Sequence, residues 1–384
     1  MANSDKLLIF HCPAGGGHRA AARAIAEAAA LRGVEAEVVD ALELTPPWFA
    51  RAYVGAHLRS SEHAPAVYGL AYAALDQRPL AEVRGVLDRT LGARLLRFVR
   101  DRAPSAVIAT HFFPLAALGH ARRHGRLGAP LICAVTDYAA HAFWAERGVD
   151  RFCAPAGGAP EDLARHGVDP GAIVPTGIPV RAAFGAAPPL RLDPGAPLRV
   201  LVTSGGFGVG PMAEVLRSFA GVPRVELAVV CGDNAERVAE ARAVAAGAGV
   251  AAEVVGFEPD MPRRMAEAHV LVGKPGGLTV SEALAAGRPM VLVGACPGQE
   301  TQNQRRLIEQ GAAFAAEPAE AGPLVGSLRD GGVLPRVGRA ARALGAPLAA
   351  SHIVEVALAA SGERAATGRA RRSGSGRAAG KRAA

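Results

Sequence analysis

Two series of short apolar runs, each run followed by a helical stretch, constrain this chain more than any other feature. The first series is KLLIFHC (6–12), VEAEVVD (34–40), SAVIAT (105–110) and APLICAVTD (129–137). The second is LRVLVTS (198–204), VELAVVCG (225–232), AEVVGF (252–257), HVLVGK (269–274) and PMVLVG (289–294). Runs of this length that do not alternate apolar with polar residues suit strands buried on both faces, and the intervening helices give the βαβ rhythm of a parallel sheet. Between the series lies AAFGAAPPLRLDPGAP (182–197), whose proline and glycine read as an interdomain linker. The expectation is an α/β chain of two Rossmann-like domains facing a central cleft. Ligands in such sheets bind beyond the carboxyl ends of the strands, so the loops after each strand hold the candidate site.

The expected divisions are an N-terminal domain over 1–181, the linker over 182–197 and a C-terminal domain over 198–345. A last helix over 346–360 and a basic disordered tail over 361–384 follow. The tail carries seven Lys/Arg and one Glu, hence +6 of the net +8, and leaves the body nearly neutral. A Gly/Ser/Arg segment of this kind cannot build a core; it can touch anionic lipid or RNA or stay solvated, and with the body nearly neutral no nucleic-acid partner is expected. Within the first domain, about 46–100 lacks a clear strand and gathers Trp48, Phe49, Tyr53, Tyr68 and Tyr72. Such aromatics suit an acceptor site or a membrane interface, or pack inward as a helical insertion. No apolar run approaches the roughly 20 residues that span a bilayer, and the opening MANSDKLLIFHC is too short in its apolar part for a signal peptide. Five scattered cysteines without a C-x-x-C pair speak against a zinc site or disulfide framework and fit a reducing cytoplasm.

Three strand-to-helix loops are rich in glycine. CPAGGGHRAAARAIAEAA puts Gly15, Gly16 and Gly17 before a helix whose free N–H groups favour an anion. His18 stands at that helix start, where a positive helix end lowers an imidazole pKa and keeps the ring able to accept a proton; a structural histidine is the alternative. VLVTSGGFGVGP offers Gly205, Gly206 and Gly208 as a second phosphate cradle. In KPGGLTVSEALAAGRPM, Lys274 precedes the turn Pro275, Gly276 and Gly277, and Leu278, Thr279 and Glu282 sit on the helix behind it. Lysine is one of only three in the chain, beside forty arginines, so its place in a tight turn suggests a compact ammonium for a diphosphate. Glu282, about a turn and a half into the helix, can reach a ribose diol. PGQETQN then supplies Gln299, Glu300 and Asn303, groups that read sugar hydroxyls.

In order and spacing, GGGHRAAARAI, TDYAAHAFW, TSGGFGVGP, GKPGGLTVSEALAAGRPMVL and PGQETQN resemble the monogalactosyldiacylglycerol synthase and processive diacylglycerol glucosyltransferase family, over roughly residues 6–345. The resemblance implies the GT-B fold, a UDP-sugar donor on the C-terminal domain, a lipid acceptor, diacylglycerol foremost, on the N-terminal domain, and inversion at the anomeric carbon. It places His18 as the group that deprotonates the acceptor, Glu282 on the ribose, and Gln299 and Glu300 on the hexose. The chain holds no D-x-D, which fits a metal-independent transferase without a cofactor, with Lys274 and backbone dipoles facing the diphosphate. Asp137 is the rival base or the orienting partner of His18. His111 and His141 join Trp48, Phe49, Tyr68 and Tyr72 as candidate acceptor or membrane residues. THFFPLAAL departs from the family's Thr-His-Pro segment. The location implied is cytoplasmic, peripheral on the inner face of the membrane.

Three other readings stay open on the residues alone. An NAD-dependent oxidoreductase would use Asp40 on a ribose, but Ala20 stands where the third glycine of G-x-G-x-x-G belongs. A UDP-GlcNAc-dependent transferase or a 2-epimerase-like sugar-nucleotide enzyme shares the fold. A catalytically silent sugar-nucleotide or lipid-binding module needs neither His18 nor Asp137.

Overall fold

The computed structural model describes residues 5–13, 16–53, 55, 93–203, 210–330 and 332–379. In the first half, β1 (Lys6–His11), β2 (Glu35–Asp40), β3 (Ala106–Ala109), β4 (Leu131–Ala134), β5 (Arg151–Ala154) and β6 (Ile173–Pro175) form one parallel sheet, ordered β2-β1-β3-β4-β5-β6. In the second, β7 (Leu198–Thr203), β8 (Val225–Val230), β9 (Ala252–Val255), β10 (Val270–Gly273), β11 (Met290–Leu292) and β12 (Ala313–Ala315) form another, ordered β12-β11-β10-β7-β8-β9. The most apolar runs are central, with both faces covered: Ile9 lies in register between Val38 and Ile108, and Leu7, Leu8, Ile9 and Phe10 are all fully buried, whereas β2 and β9 lie at sheet edges. The strands β5, β6 and β12 were not expected.

The helices in chain order are α1 (Gly16–Ala30), α2 (Ala93–Arg102), α3 (Phe112–Arg123), α4 (Ala159–Arg165), α5 (Met212–Ser218) and α6 (Ala235–Gly247). They continue as α7 (Met261–Glu267), α8 (Gly277–Ala286), α9 (Gln299–Glu309), α10 (Ala321–Ser327), α11 (Val333–Leu344) and α12 (Ala349–Ala379). Helix α8 is apolar nearly all round and accordingly buried, with Leu278, Val280, Ala283 and Leu284 inside. The linker is stapled to the second domain: the Arg288 guanidinium donates to the Pro188 carbonyl at 2.9 Å and Arg342 to that of Ala187 at 2.7 Å.

Helix α12 returns to the first domain, where Ala350, Ile353, Val354, Ala357 and Ala360 pack with Leu7, Ile9, Ala22 and Ile25 on one face of the first sheet. Small alanines on α1 let the two helices approach closely. This corrects the expected end of the chain in two ways. The last helix begins at Ala349 and runs through the basic stretch to Ala379, alanine and arginine being strong helix formers, rather than giving way to a disordered tail at 361. Within 333–364, moreover, a stretch reaches mean hydropathy 1.5, enough by length and composition to cross a bilayer. Here it is divided between α11 and α12, with a break at 345–348.

Candidate active site

In a doubly wound sheet the crevice opens where the strand order reverses. In the first sheet that point lies between β1 and β3, whose following residues include His18, Thr110 and His111. In the second it lies between β7 and β10, followed by Gly210 and Lys274. The two points face each other. Gly17 on α1 meets Leu278 on α8, where a Cβ would sit 3.2 Å from the leucine Cδ2. Gly277 approaches the Thr136 carbonyl so closely that no Cβ fits between them. That approach is one reason α8 starts on glycines; the bare N-terminal amides they leave, with no side-chain cap at Gly276, are the other.

On the acceptor side, His18 Nδ1 lies 2.6 Å from the Thr110 carbonyl oxygen and 3.1 Å from the Thr136 hydroxyl. A carbonyl can only accept, so the proton is assigned to Nδ1 and the lone pair to Nε2. The Thr110 hydroxyl in turn lies 3.0 Å from the His18 carbonyl, tying the end of β3 to the start of α1. His18 is therefore held in one tautomer, with Nε2 as its acceptor nitrogen. Its ring meets His111 edge-on at 4.6 Å and lies 6.4 Å from the Trp144 ring.

Asp137 does not orient His18; Thr110 and Thr136 do. The Asp137 carboxylate instead accepts from the Trp144 indole N–H at 2.9 Å. Burial pushes its pKa up to about 7, and that hydrogen bond only partly opposes the shift. A carboxyl near neutrality in this place keeps the second role considered for it, that of a base.

The remaining acceptor candidates divide. His111 and His141 are buried and cap the turns after them, accepting from the Phe113 and Phe143 amides at 3.0 and 3.2 Å. Phe49 is core, 7% exposed and packed on Phe113 and Tyr53, so it is not available to a membrane; helical residues 47–53 turn that face inward. Trp48, one residue earlier and with its ring edge-on to that of Phe49 at 5.9 Å, is 61% exposed. Gly15, Tyr68 and Tyr72 lie outside the described residues, as do Gly205, Gly206 and Gly208 on the donor side. Asp40 caps the turn at 41–44 by accepting from the Leu42 amide, which commits one of its carboxylate oxygens to the backbone.

On the donor side, a small, mostly apolar recess lies over the ends of β7 and β10, lined by Thr203, Gly210, Pro211, Met212, Gly273 and Lys274 among others. The Lys274 ammonium sits 3.2 Å from Glu300 Oε2, which also accepts from the Cys296 amide at 2.7 Å. Asn303 is buried and donates to the Pro275 carbonyl at 2.9 Å, leaving its Oδ1 without a partner. Glu300 and Asn303 thus brace the turn they follow; Gln299 opens α9 just before them. Glu282 keeps some accessible surface, yet burial drives its pKa up to about 8, and the Arg181 charge offsets this only in part.

Several members of the site were not singled out from sequence: Thr110, Thr136, Trp144, and the pair Tyr138 and Ser281, whose hydroxyls meet at 2.8 Å across the cleft. A signal existed for the first two, each a threonine closing an apolar run.

Residues 18–180 match the monogalactosyldiacylglycerol (MGDG) synthase family and 211–328 the glycosyltransferase family 28 C-terminal domain. Proteins named processive diacylglycerol beta-glucosyltransferase from Bacillus cereus and Bacillus mycoides are each 26% identical over 373 residues, covering 94% of this chain and 95% of their own. Among solved structures, MurG of Acinetobacter baumannii superposes with a TM-score of 0.60 at 19% identity, covering 92% of this chain and 98% of its own. The S. aureus MnaA–UDP co-structure gives 0.60 at 13% identity, over 91% and 95%. These likenesses show the GT-B architecture, two Rossmann-like domains facing a cleft. With both halves matched in order and relatives aligned end to end, the chain belongs to the monogalactosyldiacylglycerol synthase and processive diacylglycerol glucosyltransferase family, within glycosyltransferase family 28.

Proposed function

We propose that this chain moves a hexosyl group from a UDP-sugar to the free hydroxyl of diacylglycerol, with inversion at the anomeric carbon. The observation that carries the reading is the fixed tautomer of His18, which leaves Nε2 as the acceptor nitrogen of a ring on the first turn of α1, where that helix meets the bare N-terminal turn of α8. The acceptor oxygen attacks the anomeric carbon and forms the new C–O bond. As the bond from that carbon to the diphosphate oxygen breaks, His18 Nε2 takes the hydroxyl proton. Charge gathering on the leaving UDP meets the amides of α8 and the Lys274 ammonium, fixed dipoles and charge in a partly dry site. We read the reaction as metal-independent because the diphosphate already has these partners and the sequence lacks D-x-D.

The family relationship, exposed Trp48 and the basic residues beyond 363 support peripheral docking on an anionic inner leaflet. The deciding experiment incubates the purified protein with UDP-glucose, UDP-galactose or UDP-GlcNAc and vesicles containing diacylglycerol, then identifies products by mass spectrometry. A glycosylated diacylglycerol of inverted configuration supports the proposal. An epimerised UDP-sugar, or no lipid product with any donor, overturns it.

A further inference from the structure

Arg306, two turns along α9 from Gln299, points out of its own domain. Its Nη1 donates to the Tyr138 carbonyl at 2.8 Å and to the Gly157 carbonyl, both in the acceptor domain. The socket is built for it. Gly157 and Gly158 have φ of 78° and 81°, a region costly for other residues, and a Cβ at Gly158 would fall on the guanidinium itself. The Gly158 amide is held by Glu161 at 2.7 Å, which fixes the turn at the start of α4. Tyr138 is gripped twice: its carbonyl by Arg306 on α9, and its hydroxyl by Ser281 on α8, next to Glu282. One turn before Arg306, Asn303 ties α9 to the Pro275 carbonyl. Both donor helices are thus fastened to the residue that follows Asp137.

We propose that Arg306, with the Gly157–Gly158 socket and Tyr138, is a closure latch: a positioning residue that sets the donor helices over His18 without touching the reacting atoms. The inference rests on the donor and base assignments made above. Arginine suits the role because the two N–H bonds of Nη1 diverge in the fixed guanidinium plane and can serve one carbonyl each, whereas a lysine ammonium rides on a flexible stem. Closure over His18 aligns the anomeric carbon with the acceptor hydroxyl and keeps water from competing with it.

The test uses the full chain with R306A, R306K and G158A, the last displacing the guanidinium without removing it. Misplacement by about 1 Å costs up to roughly a hundredfold in turnover, so kcat is expected to fall about tenfold to a hundredfold in R306A and G158A. The Kd for UDP should stay within about threefold, and hydrolysis of the UDP-sugar should rise relative to transfer. R306K should fall between wild type and R306A. The double variant R306A/G158A should be no worse than R306A, because both changes break one contact. Small-angle scattering, with and without UDP, should show the wild type more compact than R306A. Equal compactness together with wild-type kcat in R306A overturns the latch, and so do losses that multiply in the double variant. If R306A does not fold, G158A and R306K carry the same comparison. Failure of the wild type to bind UDP would strike the donor assignment instead, while ligand-free scattering still decides the latch.

Discussion

The two walls of the cleft solve opposite problems. The acceptor wall, built from His18, Thr110, His111, Asp137 and Trp144, is largely buried, aromatic and already arranged: His18 holds its hydrogen bonds without a ligand. The donor wall is polar and paired with itself. Lys274 lies against Glu300, Asn303 braces the Pro275 turn, and Glu282 sits where burial disfavours its charge. A preformed wall changes rate when altered, because it serves the transition state; a self-paired wall changes affinity, because ligand must replace contacts already made. Substitutions on each side can break that division.

The largest effect is expected at His18. H18A should lower kcat by roughly 10²–10⁴, the usual span for losing a general base, with UDP affinity by calorimetry little changed. If D137A abolishes turnover while H18A stays near wild type, the base is Asp137, and the acceptor wall works through its buried carboxyl.

Asp137 offers a second break, in stability. Its pKa of about 7 in the folded chain lies above the ordinary 3.8. The folded chain therefore keeps a proton that the unfolded chain releases, and stability falls as the pH rises from about 4 to about 7, flattening above. D137N carries no such charge, so it should gain on the wild type across that window. The ceiling is about 4 kcal/mol at roughly 1.4 kcal/mol per unit. Urea unfolding at pH 5 and pH 8 measures it; an identical difference at both values means Asp137 is not buried as described.

On the donor wall the effects should be in binding. K274A is expected to weaken UDP by about 1.5–3 kcal/mol, the range for hydrogen bonds to charged groups, and to leave uridine nearly untouched. Equal losses for both would remove the ammonium from the diphosphate. E282A should weaken UDP by about 1–3 kcal/mol through unpaired ribose hydroxyls. Because those hydroxyls donate to the ionised carboxylate, wild-type affinity should rise with pH through about 8, and E282Q should lose that dependence. A flat wild-type profile between pH 7 and 9 would take Glu282 off the ribose.

The same division governs what could be read from sequence. Most strand positions were legible because burial on both faces leaves its mark on composition, although β5, β6 and β12 were missed. The glycine turns and Lys274 stood out because backbone geometry and a rare lysine leave few alternatives. Partnerships between distant residues left no local trace. Nothing in THFFPLAAL says that its threonine carbonyl orients a histidine 92 residues earlier. Nor does TDYAAHAFW show that its tryptophan, rather than its histidine, meets the aspartate. Phe49 and Trp48 are neighbours of similar chemistry, and only the helical turn across 47–53 sends one to the core and the other to solvent.

That last pair gives the smallest prediction, and it asks whether the acceptor wall extends to a membrane. Trp48 is exposed, so W48S should leave folding intact. F49S should destabilise the chain by about 3 kcal/mol or more, as large-to-small changes of buried aromatics do. If the exposed ring inserts at a lipid surface, W48S should remove about 1–2 kcal/mol of vesicle binding, somewhat less than full burial of a large side chain contributes. That loss should not depend on salt, because apolar burial is not screened. Truncation after Ala366 removes six Lys/Arg and keeps the face of α12 that packs on the first sheet. Its loss should appear at low salt and fade as the Debye length shrinks below about 8 Å. Co-sedimentation with anionic vesicles across a salt series separates the two contributions. Binding that is unchanged in both variants would confine the acceptor wall to the cleft and leave Trp48 and the basic helix end as solvated surface.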